Sequence, residues 1–269
     1  MLFLYHIIIF LITIFSPIII FYRILKNKED KKRFIEKFSI TSKKRAKGKL
    51  IWFHGASVGE ILSIVPLIKN YEKNNSIAQI LITSSTLSSS KVFQKFKFKK
   101  TIHQFYPIDN PLIINKFLDH WKPSSVFFVE SEIWPEMLRI LKFKKIKIFL
   151  LNARISKKSF SKWKNLKKIG IKIFNMFDYI FPQNKETFNY LKYFNVKNIK
   201  ILGNLKFSET EKSDSYKSLS KVFKKRKILC AASTHNNEEE LISRIHLDLK
   251  SKINKLLTVI IPRHIERSR

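Results

Sequence analysis

The amino-acid sequence predicts an α/β protein with a mostly parallel, doubly wound sheet, an apolar helix before it and the start of a second such sheet after it. Three observations lead there. From Leu50 onward, short continuous apolar runs alternate with longer amphipathic stretches, the pattern of buried parallel strands joined by helices. Ahead of them, Leu2–Tyr22 contains no Asp, Glu, Lys or Arg. Towards the C-terminal end, a polar, Ser-rich stretch from Ser208 to Lys227 interrupts the alternation before it resumes.

As a helix, the uncharged segment would reach ~30 Å, the hydrocarbon thickness of a bilayer. His6, Thr13, Ser16 and Pro17 weaken it only slightly. A cleaved signal peptide would want a basic start and a small-x-small cleavage site, and neither is present. A core helix rarely stays uncharged for so long. Arg23, Lys26, Lys28, Lys31, Lys32 and Arg33 follow at once. By the positive-inside rule they hold the rest of the chain on the cytoplasmic side, and they would attract anionic lipid headgroups. Residues 1–28 therefore read as a membrane anchor with a basic flank: one span of an inner membrane, with the body on the cytoplasmic face.

In the body, strands are expected at Leu50–His54, Ile80–Thr83, Gln104–Tyr106, Ser125–Val129, Ile146–Leu151, Tyr179–Phe181 and Ile199–Leu202. Helices are expected at Glu60–Tyr71, then from the end of the Ile80–Thr83 strand to about Phe96, and at Leu112–Trp121, Trp134–Leu141, Lys158–Met176 (one long helix) and Glu186–Tyr193. These make a first domain over 29–207. Residues 208–227 read as a linker. Ile228–Ala232, Glu238–Leu249 and Leu257–Pro262 then give a strand, a helix and a strand, so 228–269 reads as the opening of a second domain. Two strands and one helix do not close a doubly wound sheet, so that domain is expected to be incomplete and the chain to have little activity by itself.

The formal charge is +33, which invites a nucleic-acid reading. The basic residues, however, are spread along a chain rich in Lys, Ile, Asn and Phe, and they follow no nucleic-acid-binding motif. No nucleic acid is expected; anionic lipid surfaces and anionic substrates suit the charge better. A single cysteine, Cys230, excludes an intrachain disulfide, and no Cys/His cluster has the spacing of a structural zinc site.

Chemistry-bearing residues gather at strand ends, where open parallel sheets bind ligands. His54-Gly55-Ala56-Ser57-Val58-Gly59-Glu60 follows the first strand. Gly55 and Gly59 allow close backbone approach. Glu60, in the first helical turn, is a fair general base for an alcohol, or it merely completes a capping box with Ser57; the residues alone leave both open. Glu130-Ser131-Glu132-Ile133-Trp134-Pro135-Glu136 places two carboxylates, Glu130 and Glu132, beside a Trp that could face a sugar ring. Helix N-terminal charges would read the same way. Asn152-Ala153-Arg154-Ile155-Ser156 offers Ser156 as an N-cap. Ser233, Thr234, Arg263 and His264 close the two later strands with groups that suit an anionic phosphate.

HGASVGE, the Thr83–Thr86 run, YPIDNP, ESEIWPE, NARIS, GNLKF, STH and PRHIER come in one order. Together they resemble the family of 3-deoxy-D-manno-octulosonic acid (Kdo) transferases over nearly the whole chain. Each motif alone is weak; eight in register are specific. The resemblance implies a GT-B glycosyltransferase fold with two Rossmann-like domains, an acceptor domain first and a donor domain second. It implies transfer of Kdo from CMP-Kdo to a lipid A precursor with inversion, without cofactor or metal. It further implies Glu60 as base, Ser57, Gly59, Glu130 and Glu132 on the acceptor side, and Ser233, Thr234, Arg263 and His264 on the donor side. Ser88 and Ser89 stand where the family has Thr-Gly, and Asn236 and Asn237 where it commonly has Gly. The alternatives are an inactive membrane-associated remnant or fragment keeping the acceptor fold, or a GT-B transferase for another lipid.

Overall fold

The computed structural model describes residues 2–41, 43–205 and 223–263, with side chains from Tyr5 onward. Contacts divide the chain into two compact units, Met1–Glu209 and Thr210–Arg269. In the first, helix α1 (Leu2–Leu25) leads through a short 3-10 turn (Phe34–Phe38) into alternating strands and helices. These are β1 (Leu50–His54), α2 (Val58–Glu72), β2 (Gln79–Ser84), α3 (Leu87–Gln94), β3 (Thr101–Phe105), α4 (Pro111–Trp121), β4 (Ser125–Val129) and α5 (Pro135–Phe143). Then come β5 (Lys147–Ala153), α6 (Lys157–Asn165), α7 (Lys167–Phe174), β6 (Tyr179–Pro182) and α8 (Lys185–Tyr193). The strands form one sheet in the order β3-β2-β1-β4-β5-β6, every pair parallel. The order reverses between β1 and β4, which opens a crevice at their C-terminal ends.

Alternate residues of β1 feed the two layers. Leu50 and Trp52 pack with Phe117, Trp121 and Phe128 on one face. Ile51 and Phe53 pack with Ile61, Ile64 and Ile68 of α2 on the other. Burial on both faces explains why the strand reads as a continuous apolar run. The anticipated caps form: Ser57 accepts from the Glu60 N–H, and Ser156 from the Ser159 N–H.

Three expectations are corrected. The segment 158–176 is two helices, broken at Leu166 (φ −114°, ψ 36°). An unbroken helix would set Lys167 on the same stripe as Phe160, Trp163, Gly170 and Phe174, facing the core. The break takes it out, and its ammonium lies 4.5 Å from the centre of the Tyr193 ring. Ile199–Leu202 is not a strand: Ile199 makes one isolated bridge to Ile180, and Ile201 and Leu202 are exposed. The strand expected at Gln104–Tyr106 runs instead over Thr101–Phe105, pairing with β2 from Ile80↔Thr101 to Ser84↔Phe105.

Gly170 packs against Phe194, and a Cβ there would come within 2.9 Å of two ring carbons. Phe194 is fully buried and cannot swing away. Gly170→Ala is therefore expected to destabilise the protein by about 1–2 kcal/mol, the overpacking outweighing the ~1 kcal/mol helix-propensity gain, read as a lower urea midpoint at unchanged slope.

Part of the basic flank is engaged within the protein. Arg23 bonds Glu29 at 3.1 Å, and Lys37 holds the same carboxylate at 2.7 Å. Arg33 is engaged by Glu36, Ser90 and the His103 carbonyl. Lys26, Lys28, Lys31 and Lys32 remain exposed.

In the second unit, β7 (Lys227–Thr234) and β8 (Leu256–Pro262) pair in parallel through α9 (Glu238–Lys250), one βαβ turn. Of the region read as a linker, 208–227, residues 208–222 lie outside the described residues, as do 206 and 207 before it.

Candidate active site

The C-terminal edges of β1 and β4 bring Glu60, Glu130 and Glu132 together at the point where the strand order reverses. Glu60 is half-buried in the first turn of α2. Its Oε2 accepts from the Ala56 N–H at 2.7 Å and its Oε1 from the Ser57 hydroxyl at 2.8 Å. A Cβ on Gly55 would stand 3.0 Å from the Glu60 Cβ, so glycine there lets the carboxylate fold back over the loop. Burial pushes the Glu60 carboxyl above the usual carboxylate range. The Ser57 and Ala56 hydrogen bonds oppose the rise, and the charges of Glu132 and Glu130 add to it.

The loop under Glu60 is pinned from α3. The Ser89 hydroxyl donates to the Ala56 carbonyl at 3.0 Å, and Thr86 caps α3 through the Ser89 N–H. Ser88 and Ser89 lie inside this helix, and neither takes a positive φ, so glycine is not required there.

Glu132 belongs to a chain of buried groups that the sequence does not reveal. Its Oε2 meets His54 Nε2 at 3.0 Å and the Trp134 indole N–H at 2.9 Å. His54 is fully buried, with Nδ1 at 3.0 Å from Thr83 Oγ1, and Thr83 Oγ1 accepts from Trp52 Nε1 at 2.8 Å. One assignment satisfies every member: Trp52 donates to Thr83, Thr83 to His54 Nδ1, and His54 Nε2–H to Glu132. Burial alone would raise the Glu132 carboxyl, but the bonds from His54 and Trp134 prevail and hold it below the usual range. Tyr106 stacks on His54 at 3.8 Å between ring centres.

Asp109, from the YPIDNP motif, does a different job. Helix α5 has Trp134 at its N-cap and no side-chain cap of its own. Asp109 supplies one from a distance, accepting from the Glu136 N–H at 3.0 Å and the Met137 N–H at 2.9 Å.

Glu130 takes φ 59° and is buried, its Oε1 3.5 Å from Asn152 Nδ2. Asn152, itself at φ 52°, sits where β5 slips register against β6. Beside them opens a cleft of about 480 Å³, lined by Glu130, Ser131, Arg154, Ser156, Trp163 and Phe174 among others. Gly59 borders a second hollow, and a Cβ there would meet nothing within 4 Å. Among the described residues, no three His, Cys, Asp or Glu side chains converge as metal ligands.

In the second unit, Ser233, one residue before the end of β7, takes φ 61° and is exposed, while Thr234 is buried with its hydroxyl on Glu239 at 2.6 Å. Asn237 takes φ 70° at the start of α9, the conformation for which Asn replaces glycine most readily. Arg263 is exposed and its N–H donates to the Thr234 carbonyl at 3.1 Å. His264 lies outside the described residues.

Residues 32–209 match the sequence profile of the 3-deoxy-D-manno-octulosonic-acid transferase (kdotransferase) family. The chain belongs to the Kdo transferase family. It is 35% identical over 267 residues to the 3-deoxy-D-manno-octulosonic acid transferase of Rickettsia bellii, covering 98% of this chain and 64% of that protein. The Aquifex aeolicus enzyme of the same name is 31% identical over 238 residues, 88% of this chain and 60% of its own length. The chain thus spans somewhat less than two thirds of these relatives. Among solved structures, it is similar to the UDP-GlcNAc 2-epimerase of Neisseria meningitidis (TM-score 0.56, 16% identity, 81% of this chain and 66% of that one). A Listeria monocytogenes structure described as a UDP-N-acetylglucosamine 2-epimerase gives TM-score 0.59 at 14% identity, over 79% and 62%. At these identities the likeness establishes the fold: GT-B type, a Rossmann-like first domain followed by one parallel βαβ unit.

Within this Kdo transferase family chain, the structure joins HGASVGE, the Thr83–Thr86 run, YPIDNP and ESEIWPE into one site. Two of its members, His54 and Asp109, went unassigned by sequence reasoning. Each had a signal. A histidine ending a wholly buried strand needs polar partners, and a helix whose N-cap is Trp134 leaves N–H groups that some distant acceptor must take.

Proposed function

We propose that the protein transfers Kdo from CMP-Kdo to a hydroxyl of a lipid A precursor at an inner-membrane surface, with inversion and without a metal. Glu60 is the observation that carries the reading: a half-buried carboxylate beside the crevice where the strand order reverses, in a Kdo transferase fold. It takes the proton of the acceptor hydroxyl as that oxygen attacks the anomeric carbon and CMP departs. Glu132 and Glu130 stand beside it on the acceptor side. Donor recognition is assigned to Ser233, Thr234, Arg263 and His264, with positive charge and backbone N–H groups for the leaving phosphate. Helix α1, with a mean hydropathy of 2.4 over Tyr5–Leu25, keeps the body at the membrane where its lipid acceptor resides.

The test is mass analysis of a lipid A precursor incubated with CMP-Kdo and the protein, joined where needed to the C-terminal half of the Rickettsia bellii relative. A mass gain of Kdo supports the reading; transfer only to a different lipid refutes the acceptor. Gly59→Ala sharpens it. Nothing in the protein would touch the added methyl, and alanine in a first helical turn is neutral or stabilising by up to ~1 kcal/mol. An unchanged or higher melting temperature with a clear loss of transfer is the expected result, because the methyl fills space reserved for the acceptor.

A further inference from the structure

Helix α1 is fastened to the first domain by long-range polar bonds along its N-terminal half and by the burial of Ser16 and Ile20 further on. Near its start, the Tyr5 hydroxyl donates to the Asp109 carboxylate, and His6 Nε2 meets Glu136 Oε2 at 2.9 Å. Midway, Asn110 Nδ2 donates to Thr13 Oγ1 at 3.3 Å. Near its end, Arg23 bonds Glu29 at 3.1 Å and reaches the Lys28 carbonyl at 3.3 Å. Tyr5 and Arg23 lie ~27 Å apart along a helix axis, close to the ~30 Å of a bilayer's hydrocarbon.

The groups met at the N-terminal end are polar and structural. Asp109 caps α5, Asn110 caps α4, and Glu136 is fully buried and paired with Arg139. A crossing helix that kept these bonds would carry that edge of the sheet, with its loops, to the depth of the far leaflet. Loop N–H and C=O groups facing hydrocarbon have no partners there. Crossing and docking exclude one another.

The two sides of the helix divide accordingly. Ile9, Ser16 and Ile20 are buried and Thr13 half-buried, at spacings of four, three and four, forming one inward stripe. Leu11, Phe15, Ile18 and Tyr22 form the opposite stripe and are exposed. At the first turn of α4, Leu112 is 82% exposed beside the same helix and extends the apolar surface onto the body. Lys26, Lys28, Lys31 and Lys32 stand exposed past the helix end, where anionic headgroups would meet them.

We infer that α1 lies in the plane of one membrane leaflet, its inward stripe docked on the domain and its outward stripe among the acyl chains. A helix with one docked and one lipid-facing side needs no crossing to bind. The arrangement also ties the membrane contact to the site: Asp109 holds both Tyr5 and the first turn of α5, next to the Trp134 that bonds Glu132. The inference rests on the membrane-surface part of the proposed function and not on the transfer chemistry.

Sidedness tests it without measuring transfer. In sealed inside-out vesicles of phosphatidylethanolamine and phosphatidylglycerol, with Cys230→Ser as background, a thiol tag ahead of Met1 and Lys31→Cys are probed with an impermeant maleimide. Both react without detergent if α1 lies in the plane. A tag that reacts only after detergent, while Lys31→Cys reacts freely, overturns the inference. Depth quenching by brominated lipids on Leu11→Cys, Ile18→Cys and Tyr22→Cys should give one shared shallow depth. A graded profile deepest at Leu11, absence of quenching with self-association through these positions, or no vesicle binding would each refute it.

Discussion

In a chain carrying a complete donor domain, replacing Glu60 by Gln is expected to lower kcat by about 10²–10⁴-fold, roughly 3–5 kcal/mol of barrier, with little change in acceptor binding or stability. The structure makes this a clean substitution. The Gln carbonyl can keep the Ala56 N–H bond now made by Oε2. The amide nitrogen then faces the Ser57 hydroxyl, which can turn its proton away and accept. The capping function survives and the base is lost. Ser57→Ala gives the opposite pattern, about 1 kcal/mol of stability lost with the chemistry mostly intact. Transfer by Glu60→Gln at a near-normal rate, measured in single turnover, would leave Glu60 a capping residue and nothing more.

The pH profile supplies a second readout. A base works only when deprotonated, so the acid limb of kcat/KM follows Glu60 in the free enzyme. Burial and the neighbouring carboxylates raise the Glu60 carboxyl, so that limb should lie at higher pH than an ordinary glutamate would give.

Much of the frame was legible in the sequence because it depends on local pattern. The bounds of β1 and β4 are those read from the sequence, since each carries a continuous apolar run flanked by turn residues. Ser57 and Ser156 were found because capping acts over three residues. What was missed acts at long range. The His54–Glu132 bond joins residues 78 apart and the Tyr5–Asp109 bond residues 104 apart, and no periodicity encodes either. The break at Leu166 was hidden for a related reason. The segment keeps a helical pattern on both sides, and only the lysine on the core-facing stripe argues against continuity. Ile199–Leu202 has the composition of a strand, but its pairing is confined to one bridge at Ile180.

Glu132 should give the second large effect, and two variants of it separate charge from hydrogen bonding. In Glu132→Gln, the amide oxygen can still accept from His54 Nε2–H and the Trp134 N–H, which both converge on the present Oε2. The fold should hold while the negative charge near Glu60 disappears. The Glu60 carboxyl then loses one of the influences that raise it, and the acid limb of kcat/KM should move to lower pH. In Glu132→Leu, the same charge is lost, but the fully buried His54 keeps a donor with no acceptor. An orphaned buried group costs about 1–3 kcal/mol, and the Trp134 N–H adds to this as far as water cannot reach it. Glu132→Leu should therefore unfold at clearly lower denaturant than Glu132→Gln, although both remove the charge. Direct titration of Glu60 by carboxyl carbon NMR reads the electrostatic part in either variant without requiring turnover. Equal stabilities for the Gln and Leu variants would mean that the chain from Trp52 through Thr83 and His54 to Glu132 does not hold the site. An unmoved Glu60 titration would mean that the two carboxylates do not sense each other and that burial alone sets the base.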